Sequence, residues 1–354
     1  MKKKICVIFG GESTEYEVSL RSAYSVISNL DKNLYDIVAV GIRKDGKWFL
    51  YNGDYEKIPT DNWYNDSLKS VSILHGSKES LLVVLNDDGT FEKVSFDVAF
   101  PVLHGKNGED GTIQGLFEIA GISYVGVGVI ASSVGMDKTF TKIIFDNAGI
   151  PQANWVTVLS HEKNILEQKI AEAEEKLSYP MFIKPANAGS SIGIGKAKTR
   201  DELIACINEA FKFDRKILIE EFLTGHEVEC AVLGNRGNIK ASCVGEIVAS
   251  QEFYTYDAKY SSDSTSELYI PAKLKEEYSE KVREYAIKAF EALDGKGLSR
   301  VDFFVDEEKH KVCINEINTL PGFTSISMYP KLFEASGIKY SELLTKLIDI
   351  ALEK

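Results

Sequence analysis

The sequence predicts an α/β fold in which a helix-covered parallel sheet precedes a part of the chain that is richer in strands. In the first third, apolar runs of strand length alternate with segments of helical periodicity, a βαβ pattern typical of parallel sheets. From about residue 225 onward, most apolar runs have strand length and follow one another. With 354 residues, the chain has room for two or three domains of roughly 150 residues each.

The first third is predicted to be an N-terminal α/β unit at residues 1–126. An apolar run gives its first strand, and apolar residues at helical spacing come next. In order, we expect a strand at 4–9, a helix at 18–30, strands at 36–42 and 96–103, a helix at 110–120 and a short strand at 123–127.

A central unit at 127–224 and a C-terminal unit at 225–354 are predicted from the same kinds of signal. Gly149, with Pro151 soon after it, ends the first central helix. The central unit is expected to hold helices at 136–149 and 201–213 and strands at 155–159, 181–184 and 216–221. The C-terminal unit is expected to hold strands at 227–233, 239–247, 298–305 and 311–317, helices at 273–293 and 341–354, and a polar loop at 251–267 of the length usual for functional loops.

Composition and charge exclude several functions. The formal net charge is −12, so the chain as a whole repels a phosphate backbone and no nucleic-acid partner is expected. No apolar run approaches the ~20 residues that span a bilayer, and no signal-peptide core follows the basic start, so we expect a cytoplasmic protein with no membrane contact. The five cysteines form no C-x-x-C pair and are expected to be free thiols in a reducing compartment.

Two glycine-rich turns follow strands of the first unit. The segment 10–13, Gly-Gly-Glu-Ser, ends the first strand, where backbone amides could approach a ligand closely. Glu17 fits a capping box with Thr14, which would satisfy only its own helix, and it equally fits a ligand-binding acid. The turn at 104–111 carries His104, glycines and acids at the carboxyl end of a strand, where open α/β sheets bind ligands. A solvated loop is the alternative.

Two lysines and a glycine-serine loop in the central unit suggest a phosphate site. Lys184 ends an apolar strand and needs an anionic partner, and loop 189–195, with Ser190 and Ser191, supplies amides and hydroxyls. The loop is not a Walker sequence, so the motif alone does not establish a phosphate site. The alternative is a hairpin turn with an exposed lysine. Lys138 lies in the first turn of a helix, where the dipole disfavours a lysine unless an anion is near.

The strand at 216–221 ends in acids. Its last residues and the two that follow could present backbone groups to an adenine, and Glu227 could bind ribose hydroxyls. A linker with exposed carboxylates is the alternative.

The strongest pattern is Arg300-x-Asp302 together with Glu316-x-Asn318. Residues two apart on a strand face the same side, and the polar turn at 306–310 predicts a hairpin. For both pairs to share a face, the turn must hold three or five residues, since an even number flips one pair. Oxygen ligands with open positions suit Mg²⁺ that carries nucleotide phosphates, and an arginine can stabilise a transferring phosphoryl group. A surface ion-pair cluster explains poorly why these acids interrupt apolar strands.

Taken together, these segments resemble the D-alanine–D-alanine ligases of the ATP-grasp superfamily over essentially the whole chain. Each motif alone is weak, but all six in this order are specific. They are Gly-Gly-x-Ser-x-Glu-x-Glu-Val-Ser at 10–19, His-Gly-x-x-Gly-Glu-Asp-Gly at 104–111, Met-Asp-Lys at 136–138, Lys-Pro-x-x-x-Gly-Ser-Ser at 184–191, Phe-Tyr-x-Tyr-x-Ala-Lys-Tyr at 253–260, and Arg-x-Asp with Glu-x-Asn-Thr-x-Pro-Gly at 300–322.

The resemblance implies an ATP-grasp fold and the ATP-dependent ligation of two D-alanine molecules through an acyl phosphate, for peptidoglycan synthesis. ATP would lie between the central and C-terminal units, with its phosphates at Lys138, Lys184, Ser191 and Lys259, its adenine at Glu220, Glu221, Phe222 and Leu223, and its ribose at Glu227. Two Mg²⁺ or Mn²⁺ ions would be held by Asp302, Glu316 and Asn318. The first substrate would be held by Glu17 and His104, the oxyanion by Arg300 and the amide of Gly322, and the second substrate by Ser327 and Met328.

The resemblance also implies that loop 251–267 is a lid, in which Tyr260 would hydrogen-bond with Ser190 and Glu17 across the closed site. Family members are usually dimeric, so a homodimer is expected. The family often has an acid where this chain has Ala188. Three alternatives stay open: D-serine as the second substrate, another ATP-grasp carboxylate–amine ligation, and a nucleotide-binding regulatory module without catalysis.

Overall fold

The structure is a computed structural model that describes residues 2–77, 79–189, 192–248 and 267–353. Within these ranges the strands form four sheets. No helix in the described ranges combines the length and the apolar character that crossing a membrane requires. The division of the chain at residues 126 and 224 stays a prediction.

The first sheet is the predicted parallel one, and that prediction is confirmed. Its strands are β1 Lys3–Gly10, β2 Tyr35–Ile42, β3 Trp48–Tyr51 and β7 Val98–Val102, in the order β3-β2-β1-β7. β1 pairs in parallel with β2 and β7, and β3 joins the edge antiparallel to β2. Helices α1 Tyr16–Asn29 and α2 Thr112–Ala120 follow β1 and β7. Because neighbouring parallel strands end at the same edge, the two glycine-rich turns lie side by side.

A small antiparallel sheet lies between β3 and β7 in the chain. It consists of β4 Val71–Ile73, β5 Leu81–Leu85 and β6 Phe91–Ser95, which the sequence analysis does not predict. The expected strand at 123–127 is wrong, since Tyr124 makes only a single bridge to Ala99. Segments this short carry too few residues for periodicity to separate strand from loop.

The second sheet is antiparallel and has the order β10-β9-β11-β8. Its strands are β8 Trp155–Leu159, β9 Met181–Pro185, β10 Gly195–Ala197 and β11 Lys216–Glu221, and its helices are α5 Leu166–Lys176 and α6 Arg200–Ala210. Before it come α3 Val129–Met136 and α4 Lys138–Asn147. The predicted helix at 136–149 corresponds to α4, which Asp137 caps by accepting from the amides of Thr139 and Phe140.

The third sheet has the order β14-β13-β12-β15-β16. Its strands are β12 His226–Asn235, β13 Asn238–Val248, β14 Glu267–Tyr269, β15 Gly297–Asp306 and β16 Lys311–Asn318, and its helices are α7 Glu276–Ala292, α8 Met328–Ala335 and α9 Tyr340–Leu352. Alternate residues of β12 face opposite sides. Val228, Cys230 and Val232 pack in the core that contains α7, whereas Ala231 and Leu233 pack in the core that α8 and α9 share with the first sheet.

The hairpin of β15 and β16 forms as predicted, but its turn differs from the prediction. The first pair is Asp306 with Lys311, so the turn holds residues 307–310, four in number. A β-bulge compensates for the even number of turn residues. Asp302 pairs with Glu316, whereas the next residue, Phe303, pairs with Ile314, so β16 has one extra residue at this point. Both predicted pairs therefore lie opposite each other despite the even turn.

Candidate active site

A cavity of about 320 Å³ brings eight of the twenty predicted site residues together. Its walls come from the turn after β7, the start of α4, the loop after β9, the strands β12, β15 and β16, and the segment that leads into α8. Eight predicted residues line it: His104, Lys138, Arg300, Glu316, Asn318, Gly322, Ser327 and Met328. The cavity thus joins the first and third sheets in one site.

The Arg300 guanidinium and the Asp302 carboxylate form the charged centre of this site. Arg300 Nε and Nη2 donate to Asp302 Oδ1 and Oδ2 at 2.8 and 2.7 Å. Asn318 Nδ2 donates to Asp302 Oδ2 at 3.0 Å, and Glu316 lies opposite Asp302 in register. Lys138 Nζ is 3.8 Å from Glu316 Oε2 and donates to the carbonyl of Ala188 at 2.9 Å. All four predicted groups of the hairpin therefore converge.

The donor set of this centre fits a hard divalent cation. In the described ranges no group of three or more His, Cys, Asp and Glu side chains is arranged to hold a metal. The oxygen donors available at this centre are the carboxylates of Asp302 and Glu316 and the side-chain amide of Asn318. Asp302 is only 5% exposed, and the neighbouring Glu316 and Asn318 face the cavity. Oxygen donors that leave open positions for phosphate and water are typical of Mg²⁺ sites.

Lys184 lies beside this centre and is held by a buried ion-pair chain. Glu220 Oε1 and Oε2 are 2.9 Å from Lys142 Nζ and 2.7 Å from Lys184 Nζ, and Lys184 also donates to the bulged residue Asn315 at 3.2 Å. Burial alone would lower the pKa of Lys184. The charge and hydrogen bond of Glu220 outweigh this effect, and the pKa of the lysine is raised. Glu220, predicted to bind adenine, therefore already engages two lysines.

We expect Glu220→Gln to lower the free energy of unfolding by about 3 kcal/mol, because it leaves two buried ammonium groups without their shared carboxylate. Burial alone would raise the pKa of Glu220, but Lys184 and Lys142 lower it well below 4.5. This contribution is therefore fully present above pH 4.5 and is lost as the pH falls through the folded-state value. Urea unfolding at pH 7 and pH 3 measures it. Glu172→Gln, which breaks surface ion pairs with the partly buried Lys169 and the exposed Lys176, is the control and should cost under ~0.5 kcal/mol.

A smaller cavity of about 80 Å³ lies at the end of β11. Three predicted residues line it, Glu221, Phe222 and Leu223, together with Phe304 of β15. Phe222 stacks on Phe182 with ring centroids 5.7 Å apart. Glu227, predicted to bind ribose, lies opposite Phe304 in the pairing of β12 with β15. The predicted adenine and ribose residues therefore belong to one neighbourhood.

The structure corrects the assignment of Glu17. Its side chain is 51% exposed, is paired with Lys44 at 2.6 Å, and does not line the cavity. Glu15 lines it instead and is 8% exposed. The two residues are about 200° apart around a helix, so both cannot face the same side. The alternative, a capping box of Thr14 and Glu17, does not match α1 either, because its N-cap is Glu15 and the Glu15 side chain accepts no capping hydrogen bond.

Glu15 is held between two glycine turns. A Cβ on Gly105 would lie 2.7 Å from Glu15 Oε2, and one on Gly189 would lie 3.1 Å from the same atom. Gly105 also has φ of +67°, a conformation that other residues rarely adopt. Glycine is thus needed where the carboxylate passes, and the turn after β7 and the loop after β9 meet at Glu15.

His104 is buried beside the carboxylates of Glu15 and Glu109. Its Nδ1 is 3.1 Å from the carbonyl of Leu320 and 3.7 Å from Glu109 Oε1, and its Nε2 is 3.3 Å from Ser22 Oγ. Burial opposes the charged form, but the carboxylates of Glu109 and Glu15 outweigh it and raise the pKa of His104. His104 is therefore protonated more readily than a free histidine, which suits it to hold an anionic group in the cavity wall.

The turn before α8 is tied together by hydroxyl groups. Ser327 Oγ accepts from the amide of Thr324 at 3.0 Å and lies 2.8 Å from Thr324 Oγ1. A Cβ on Gly322 would lie 2.8 Å from Ser327 Oγ, so a larger residue here would displace the Ser327 hydroxyl. Gly322, Ser327 and Met328 all face the cavity.

The remaining predicted residues lie outside the described ranges. These are Ser190, Ser191, Lys259, Tyr260 and the lid loop 251–267 apart from Glu267, which begins β14. Their roles stay predictions.

The sequence analysis missed several residues of the site. Glu15 and Glu109 lie in segments that it singled out, but it chose the wrong acid in one and none in the other. Lys142 and Asn315 carry no signal in the sequence, because their importance comes from contacts with Glu220 and Lys184. Glu229, which is 5% exposed and lines the cavity, could have been found as an acid inside an apolar strand.

Comparison with known families decides what this site belongs to. Residues 4–127 match the family model of the D-Ala–D-Ala ligase N-terminus, and residues 144–349 match that of the D-Ala–D-Ala ligase C-terminus. The chain belongs to the D-alanine–D-alanine ligase family. It is therefore an enzyme with the ATP-grasp fold, and the family depends on ATP. The family and fold predicted from the sequence are confirmed.

Individual members of the D-alanine–D-alanine ligase family align with nearly the whole chain. The D-alanine–D-alanine ligase of Acetivibrio thermocellus is 53% identical over 100% of this chain and 96% of its own length, and that of Ruminiclostridium cellulolyticum is 52% identical with the same coverage. Among solved structures, the VanG D-Ala:D-Ser ligase from Enterococcus faecalis is 41% identical with a TM-score of 0.89 and covers 99% of this chain and 100% of its own. The D-alanine–D-alanine ligase from Coxiella burnetii is 33% identical, with a TM-score of 0.82 and coverage of 99% and 94%.

Proposed function

We propose that this chain joins two molecules of D-alanine into D-alanyl-D-alanine and converts ATP to ADP and phosphate, for peptidoglycan precursor synthesis. The observation that carries the proposal is that a single cavity is lined by Arg300, whose guanidinium is paired with Asp302, and by Glu15 and His104. Arg300 and Asp302 can serve a transferring phosphoryl group, and Glu15 and His104 can hold a zwitterionic amino acid. A carboxylate–amine ligase needs both within reach of one another.

The nucleotide would lie against the second and third sheets. Lys138 and Lys184 would contact its phosphates, with Ser191 and Lys259 as further predicted contacts. Glu221 is tied to Asn154, because its carboxylate accepts from the amide of Asn154 at 2.9 Å and its own amide donates to the carbonyl of Asn154 at 3.1 Å. Other backbone groups of residues 221–223 would hold the base beside Phe222. Glu220 would fix Lys184 and accept from the exocyclic amine of adenine, and Glu227 would bind the ribose.

Asp302, Glu316 and Asn318 would hold two Mg²⁺ or Mn²⁺ ions. When bound, these ions offset the charge of the phosphates as the phosphoryl group moves. The chain's own contribution is to place two carboxylates and one amide on neighbouring strands, with Asp302 oriented by Arg300 and Asn318.

The first D-alanine would bind with its ammonium group at Glu15 and its carboxylate near His104. A carboxylate oxygen attacks the γ-phosphorus, the bond from that phosphorus to the bridging oxygen breaks, and ADP leaves. The amine of the second D-alanine then attacks the carbonyl carbon of the acyl phosphate, loses a proton, and displaces phosphate. Arg300 and the amide of Gly322 would stabilise the oxyanion.

The second D-alanine would bind with its carboxylate at Ser327 and its methyl group near Met328. The predicted lid, with Tyr260 and Ser190, would exclude water from the acyl phosphate, which otherwise hydrolyses. In this proposal the lid residues close over Glu15 rather than over Glu17.

The experiment that tests this function measures ADP release with Mg²⁺ and D-alanine as the sole amino acid, followed by chromatography of the products. We expect ADP and D-alanyl-D-alanine in equal amounts. ADP release with other amino acids but never with D-alanine would contradict the assignment. No nucleotide consumption under any condition would favour a regulatory nucleotide-binding module instead.

D-Serine is the second candidate for the second substrate, because a D-Ala:D-Ser ligase is among the structural relatives. The curated relatives with about half of their residues identical are named D-alanine–D-alanine ligases, which favours D-alanine. With equal D-alanine and D-serine we expect the dipeptide of D-alanine to dominate. A dominant mixed dipeptide would show that the second-substrate assignment is wrong.

We also propose a homodimer that works in the cytoplasm. Its five cysteines are free thiols, as is usual for reducing compartments, and ATP is available there. Sedimentation of the purified chain would test the dimer.

A further inference from the structure

Glu229 is a buried carboxylate that the proposed reaction does not use. It lies on β12 directly opposite Asp302 of β15, and the next residue but one, Ala231, lies opposite Arg300. The side chain is 7% exposed and faces the cavity. An acid at such a position costs free energy unless a cation compensates it.

The compensating cation is Arg300, which Glu229 shares with Asp302. Arg300 Nε lies 2.9 Å from Glu229 Oε2 and 2.8 Å from Asp302 Oδ1. The three side chains together carry one positive and two negative charges. Both carboxylates therefore lie against the same guanidinium nitrogen, and losing either one still leaves the guanidinium with a charged neighbour.

This arrangement matters because Asp302 is needed twice. In the structure it forms a bidentate pair with Arg300, whereas the proposed function requires its carboxylate for a divalent cation. A carboxylate that turns towards a metal ion weakens its pair with the arginine. Arg300 must nevertheless stay in place, because its role depends on where the reacting charge develops.

We propose that Glu229 is a positioning residue that retains Arg300 when Asp302 turns to the divalent cation, and that it thereby lowers the free-energy cost of metal binding. The inference rests on the proposed function, since it assumes that Asp302 binds the metal. Without the charge of Glu229, the metal must compete with Arg300 for Asp302 and is also repelled by an arginine that has lost its second carboxylate. Both effects weaken metal binding.

The test compares the affinity for ADP, measured by calorimetry with EDTA and with saturating Mg²⁺, in the wild type and in Glu229→Gln. We expect Mg²⁺ to strengthen ADP binding in both proteins, with the gain about tenfold smaller in the variant, as expected for one charge removed near a cation in a partly buried site. Binding of ADP in EDTA should be unchanged or tighter, because the variant removes a negative charge near the phosphates. A purely structural role would weaken binding under both conditions.

Glu246→Gln is the matched control. Glu246 is also buried on the third sheet, where it lies 2.6 Å from His226 Nδ1 and accepts from the amide of Lys273 at 3.0 Å, but it does not line the cavity. It should keep the wild-type gain. If Glu229→Gln does not fold, Glu229→Asp replaces it, and its shorter side chain should reduce the gain about threefold through the longer distance to Arg300.

The possible results separate the inference from the proposed function. A wild-type gain in a folded Glu229 variant would overturn the inference alone. Absence of any Mg²⁺-dependent gain in the wild type would overturn the proposed metal site and the inference with it. A reduced gain in Glu229→Gln together with a normal gain in Glu246→Gln supports both.

Discussion

Replacing Asp302 with asparagine should lower kcat by about 10³-fold, since the loss of a metal-binding carboxylate removes several kcal/mol of transition-state stabilisation. The fold should survive. The new amide can still accept from Arg300, and Glu229 keeps a carboxylate 2.9 Å from the guanidinium, so no buried cation loses all its compensation. Steady-state kinetics and thermal unfolding of the same preparation measure the two effects separately.

Glu307→Gln provides the control for this variant. Glu307 lies in the turn of the same hairpin and accepts from the amide of Lys275 at 2.9 Å, away from the cavity. Its turnover should stay close to that of the wild type. Unfolding of Asp302→Asn under conditions in which the wild type is folded would show that the acid is structural, and wild-type turnover would exclude it from catalysis.

The second large effect is expected for Glu15 and not for Glu17. Glu15→Gln should lower kcat/KM for D-alanine by about 10² to 10³-fold, because one partner of a buried charge pair is lost and the substrate's ammonium group remains unpaired. Glu17→Gln removes only an exposed pair with Lys44 and should change kcat/KM less than about threefold. Initial rates at varied D-alanine concentration measure both.

These two variants form a matched pair, because they make the same chemical change two residues apart in one segment. The affinity for ADP should change much less than kcat/KM in both, since neither residue is one of the proposed nucleotide contacts. A large loss in Glu17→Gln with a normal Glu15→Gln would contradict the structural assignment and restore the one made from the sequence.

The choice between Glu15 and Glu17 shows where sequence reasoning stops. Both acids follow the Gly-Gly turn and precede a helix, so the pattern locates an acid near the turn but does not say which one faces inward. The answer depends on where α1 begins. With Tyr16 as its first residue, Glu15 lies at the end of the turn, where it meets Gly105 and Gly189, and Glu17 points to Lys44.

In the hairpin that carries Asp302, strand register is likewise not determined by the local sequence pattern alone. The alternation of polar and apolar residues predicts that Arg300, Asp302, Glu316 and Asn318 share a face, and they do. The turn length that should ensure this is wrong by one residue, and a bulge compensates for it. A bulge is set by how two strands pack with their neighbours, which no local pattern reveals.

By itself, the sequence determined the class of fold, the family, and the segments that meet at the site, because these follow from periodicity, glycine positions and the order of motifs along the chain. Only the tertiary structure decided which acid lines the cavity, how Glu220 bridges Lys142 and Lys184, and that Glu229 stands beside Arg300. These ion pairs join residues 36 to 78 positions apart. They depend on helix phase, strand register and burial, and these are fixed only when the sheets pack against one another.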